Sequence, residues 1–138
     1  MSDKLTIIRA LLAKAEDPAT TEHEAEAYNV KASELIAKYG IDAALLAESR
    51  PETDKLIDKR VEILAPYAVD KVTLFYVTLK AFRCEAIRLG SGRVQVLRVY
   101  GYASDIERAE LLYTSLLLQA NTGLARRPTQ TGRAPLVA

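Results

Sequence analysis

The sequence predicts an α+β fold, with an N-terminal helical hairpin followed by a small antiparallel sheet flanked by two helices. Three observations carry this. Apolar residues recur at helical spacing through residues 3–39 and again after residue 104. Between them, at 60–63 and 85–100, short runs alternate apolar with charged side chains at a period of two. Turn chemistry (Pro18, Pro51, Pro66 and Gly90-Ser91-Gly92) then separates the segments.

Residues 3–16 place Leu5, Ile8, Leu12 and Ala15 on one helical stripe, widened by Leu11, with Ser2 as the expected N-cap. Pro18 ends this helix, because it lacks an N–H and disfavours helical geometry at Asp17. The second helix is expected over 22–39, with Ala25, Tyr28, Ala32, Leu35, Ile36 and Tyr39 inward. Thr21 and Glu24 form a capping box at its start, and Gly40 sits where a left-handed C-cap is wanted. Residues 42–48 then add a turn or two before Pro51.

Val61 and Ile63 alternate with Arg60 and Glu62, which predicts a short strand. A helix is expected over 67–83, with Ala68, Val72, Phe75, Tyr76, Leu79 and Phe82 inward. Residues 85–100 read as a β-hairpin. Its parity groups Ile87, Leu89, Val94 and Val96 on an inner face and Arg88, Arg93 and Gln95 on an outer one, slipping at Leu97 and Val99. Ser104-Asp105-Ile106-Glu107 reads as a second capping box, opening a helix to about residue 125. The expected layout is hairpin 1–50, linker 51–58, a small α+β unit 59–125 and a disordered tail 126–138 rich in Pro, Thr and Gly.

The bulk numbers exclude several classes. A chain of 138 residues, 49% apolar and 27% charged, is ordinary for a globular domain. No apolar run approaches the ~20 residues of a bilayer span, the N-terminus lacks a signal-peptide core, and Cys84 has no second cysteine to pair with. These features predict a cytoplasmic chain. The net charge of +1 hides a division: residues 1–58 hold 7 Lys/Arg against 12 Asp/Glu, and residues 59–138 hold 12 against 6. An acidic half and a basic half either attract one another or leave the basic one for a polyanion.

The run LTIIRALLAKAEDPATTEHEAEAYNVKASELIAKYGID, with its Ala-Glu-Asp-Pro, Thr-Glu-x-Glu-Ala-Glu and Lys-Tyr-Gly-Ile-Asp stretches, resembles the signature of an uncharacterised domain family of actinobacteria and their phages. The later part of the chain, through FRCEAIRLG and VYGYASDIERAELLYTSLLLQA, is similar to the segment that usually comes next in those proteins, so the resemblance spans about residues 4–125. It implies a phage or actinobacterial origin and no activity. The chain departs from the pattern at Leu5-Thr6-Ile7, where the family's first lysine is replaced, and in its short polar tail.

The stretch AEDPATTEHEAEA crowds five carboxylates around His23, the only histidine. A metal reading would use Glu22, His23 and Glu26, but di-metal bundles need such a pattern from two helices, whereas caps and first-turn acids account for every residue here. Cys84, between an apolar helix and a strand, reads as a small buried hydrophobe. Gly90-Ser91-Gly92 has neither a nucleophile elbow's spacing nor a phosphate loop's lysine. No catalytic residue, metal site or cofactor is expected.

Two features remain. The last helix is apolar over more than half its circumference, so Leu111, Leu112, Ser115 and Leu118 are the expected interface with a protein partner or a second copy. Arg83, Arg88, Arg93, Arg98, Arg126 and Arg127, with Tyr100 and Tyr102 nearby, are the expected nucleic-acid contacts if the basic half meets DNA or RNA. The sequence therefore predicts a non-enzymatic protein-interaction module, with an accessory DNA- or RNA-binding protein as the alternative.

Overall fold

The computed structural model describes residues 2–49, 54–90 and 95–126. In chain order the elements are α1 (Ser2–Glu16), α2 (Glu22–Ser49), β1 (Leu56–Ile63), α3 (Ala68–Ala81), β2 (Glu85–Arg88), β3 (Gln95–Tyr102) and α4 (Ala103–Arg126). The three strands form one antiparallel sheet in the order β1-β3-β2. The expected α+β architecture is the observed one.

The α1–α2 turn is built from the acidic stretch. Asp17 Oδ1 accepts from Ala19 N–H at 2.9 Å, and Thr20 Oγ1 donates to the Lys14 carbonyl at 2.7 Å. The capping box closes in both directions: Glu24 N–H donates to Thr21 Oγ1, and Thr21 N–H to Glu24 Oε1, each at 3.1 Å. Two orphan amides of the first turn are thereby satisfied, a contribution of about 1 kcal/mol. His23 stands exposed between them.

Several boundaries differ from expectation. Gly40 does not end α2; it lies inside a helix that continues to Ser49. A lone glycine costs about 1 kcal/mol in a helix interior, and the alanine- and leucine-rich stretch at 42–47 offsets it with strong helix formers. The strand begins at Leu56, within the stretch expected as linker. The last helix starts at Ala103, one residue before the expected cap. Ser104 is not capped by its own box. Its N–H and Oγ donate to Asp54 Oδ1 and Oδ2 at 2.9 and 2.6 Å, while Ala103 N–H donates to the Lys55 carbonyl. These bonds hold the Asp54 carboxyl below the usual carboxylate range, and they tie the start of β1 to the start of α4.

One continuous core joins all the elements. Leu5, Ile8 and Leu12 of α1, Ala32 and Tyr39 of α2, Phe75 and Leu79 of α3, and Val61, Leu97 and Val99 of the sheet pack around Ile106, Ala109, Tyr113 and Leu117 of α4. Phe75 and Tyr113 stack with ring centroids 4.5 Å apart. Tyr76, expected inward, is 39% exposed, because the buried face of α3 runs through Lys71, Val72, Phe75, Thr78 and Leu79 instead.

Among the described residues the hairpin parity is inverted, although Val96 is buried as expected; Val94 and Arg93 lie outside them. Val61 pairs with Leu97, Ile63 with Gln95 and Ala86 with Val99, so these residues share the face that meets the helices. Arg88, opposite Leu97, lies on this inner face and Ile87 on the outer one. Residues 97 and 99, where the sequence pattern slips, follow the true alternation.

Cys84 is buried where β2 begins, and Gly101 crosses over it. A Cβ at position 101 would sit 2.9 Å from Cys84 Sγ. Gly101→Ala is therefore expected to cost about 1–3 kcal/mol through overpacking. Thermal denaturation of Gly101→Ala with and without Cys84→Ala checks the cause: removing the sulfur should recover most of the loss.

Candidate interaction surface

The α4 helix is central rather than half-bare. The other three helices and β3 all pack on it, and its apolar excess is buried inside the chain. Leu111 and Leu118 are half-buried against the core, Ser115 is half-buried, and only Leu112 stands out at 40% exposure. A sequence stripe wider than half the circumference signals two sides of contact, and both are intramolecular here.

Among the described residues, Arg88 and Arg98 lie on opposite faces of the sheet. Arg83 occupies a left-handed conformation (φ 64°) that ends α3: Cys84 N–H donates to the Leu79 carbonyl, and Arg83 N–H to that of Lys80. That is a Schellman cap with arginine where glycine is usual, so the residue has a local architectural role. Arg88, on the helix-facing side of the sheet, donates from Nε to Gln95 Oε1 at 2.9 Å. Arg98 lies on the opposite side and bonds Asp58 at 3.0 Å. Arg93 and Arg127 lie outside the described residues, as does the expected tail; Arg126 is the last residue of α4.

A polar network that sequence reasoning missed runs through the interior. Glu110, 1% exposed, accepts from Arg9 Nη2 at 3.0 Å and is paired with Lys59. Arg9 Nη1 also donates to Thr114 Oγ1 at 3.1 Å, and Thr114 Oγ1 donates in turn to the Glu110 carbonyl. On α2, Tyr39 donates to Glu107 at 2.5 Å, and burial followed by that carboxylate pushes its hydroxyl far above the ordinary phenol range. The signal was present in the sequence: Arg9 and Glu110 each fall on the buried stripe of their helix, beside Ile8 and Ala109. Burial, then Asp105 and Glu85, push the Cys84 thiol upward, which opposes thiolate formation. Among the described residues, no three His, Cys, Asp or Glu side chains converge as a metal site would require.

What remains open is the outer face of the sheet. Except at Val96, which is only 6% exposed, its described side chains are exposed or half-buried, and the register sets them out in rows. Leu56 lies beside Tyr102, and Tyr100 lies between Asp58 on one side and Glu85 on the other. Arg98 lies between Arg60 and Ile87, and Glu62 lies beside Val96. Leu56, Ile87, Tyr100 and Tyr102 are 70%, 54%, 39% and 48% exposed, an unusual apolar load for a face meeting only water. Its charges are internally balanced, with Arg98 on Asp58, Arg60 on Glu62 at 3.4 Å and Lys80 on Glu85 at 3.1 Å.

With this geometry established, comparison with known proteins adds one finding. Residues 5–43, comprising α1, the turn and most of α2, match a family described as a protein of unknown function (DUF2786). The match covers less than half of the chain and brings no activity with it. No curated protein and no solved structure matches. No described helix is long and apolar enough to cross a membrane.

Proposed function

We propose that this chain is a non-enzymatic protein-interaction module that docks its partner on the open face of the three-stranded sheet, in the cytoplasm of an actinobacterium or of a phage-infected host. One observation carries the reading: an uncovered sheet face presents two tyrosines and two aliphatic side chains while its ionic groups neutralise one another. Such a face gains by meeting another apolar surface and offers little net charge to a polyanion. The alternative, DNA or RNA, would use the same residues. Tyr100 and Tyr102 stand two apart on the middle strand, as base-stacking aromatics do. Against it, Asp58, Glu62 and Glu85 stand on that face and oppose phosphates.

Photo-crosslinking separates the two. With p-benzoylphenylalanine replacing Tyr102 in the full chain, irradiation in an extract of the source organism should give a polypeptide adduct that is lost on Tyr100→Asp. An adduct with nucleic acid, or none, overturns the proposal.

A further inference from the structure

We infer that the partner on this face is a second copy of the chain, packed sheet to sheet about a two-fold axis that crosses the strands between Tyr100 and Arg98. The inference rests on the docking reading above and names its occupant. A two-fold contact uses the same patch twice, so the patch must be complementary to itself. The strand register provides that property. The row of Asp58, Tyr100 and Glu85 lies next to the row of Arg60, Arg98 and Ile87, so an acidic line adjoins a basic one.

Rotation about an axis between these rows lays each strand over its own counterpart with its direction reversed. The acidic row of each copy then meets the basic row of the other. Asp58 faces the second copy's Arg60, and the Tyr100 ring faces the second copy's Arg98, a cation–π arrangement. Both contacts occur twice.

The free chain has a reason to accept them. Arg60 and Arg98 are directly opposite one another in the sheet, a like-charge pair that is unfavourable by itself. Their own carboxylates balance them only at the surface, with the side chains of Arg60 and Glu62 both more than half exposed. A second acidic row laid across the arginines adds a further counter-charge to pairs that are otherwise open to water, while Leu56 and Tyr102 at the margin lose their contact with water. Sheets packed in this way stand about 10 Å apart with strands within about 30° of alignment, which leaves room for these side chains to interdigitate.

Sedimentation equilibrium on the full chain tests the inference. The wild type is expected at twice the 15.2 kDa chain mass. Asp58→Arg sets arginine against arginine across the axis, and Arg60→Asp sets acid against acid. Each variant alone should dissociate at least about tenfold more readily. Mixed in equal amounts, the two variants complement each other at both contacts, and the dimer mass should return as a one-to-one hybrid. A folding defect would not be cured by mixing. A wild type that remains at monomer mass, or a mixture no heavier than its components, overturns the inference. If the wild type is monomeric and the residue-102 photoadduct is a different polypeptide, the second copy is excluded while the docking reading stands. A nucleic-acid adduct, or none, removes both.

Discussion

Glu110→Ala is expected to destabilise the fold by about 3–5 kcal/mol, a large share of a small domain's stability. Glu110 is the acid that Arg9 and Lys59 share, and Arg9 is only 7% exposed. Removing the carboxylate strands a guanidinium among Leu5, Ile8 and Leu12, where water cannot replace the lost partner. The companion experiment is more informative than the deletion. Arg9→Met combined with Glu110→Leu removes the two most buried charges and keeps the volume, leaving only Lys59, which at 22% exposure can reach water, and should cost far less than Glu110→Ala alone. Urea denaturation of the wild type and both variants reads this directly. If the double replacement is as damaging as the single one, the pair stabilises the fold by a route other than mutual neutralisation.

Phe75→Ala is expected to cost about 3–5 kcal/mol by leaving a cavity at the junction of α3 and α4. Phe75 is fully buried and stacked on Tyr113, itself 1% exposed, and the two rings hold α3 against the central helix. Phe75→Leu, which fills most of the space but loses the stacking, should cost less than half as much. Thermal and urea unfolding of both variants checks the order. Similar losses for the two would show that stacking, rather than filled volume, dominates this contact.

The legible parts of the structure are those in which cause and effect lie close together in sequence. Thr21 and Glu24 cap each other across three residues, Pro18 stops α1 within one turn, and the apolar stripe of α1 needs only its own period. The illegible parts are decided by distant residues. The inner face of the hairpin cannot be chosen from residues 85–100, because β3 has apolar side chains on both faces; the pairing of Val61 with Leu97 settles it, from a strand more than thirty residues earlier. The α4 cap comes from Asp54, fifty residues upstream, so Ser104 has the right chemistry and a different partner from the one its own box suggests.

The candidate surface divides in the same way. Tyr100, Tyr102 and Arg98 stand out in the sequence as a basic and aromatic cluster, but their company of Asp58 and Glu62 becomes visible only once β1 is laid beside β3. The breadth of the α4 stripe does signal contacts on two sides. It cannot name their supplier, and α1, α2 and α3 of the same chain provide them.

The ion pair between Arg9 and Glu110 also bears on how such a segment can travel between proteins. The stretch matching a known family ends at residue 43, yet its Arg9 is neutralised by an acid 101 positions downstream. Grafted onto a host lacking that carboxylate, the hairpin would arrive carrying an interior cation with no counterion. Wherever an arginine stands at the place of Arg9 in a relative, the remainder of that protein should offer a carboxylate to meet it, and the two positions should change together.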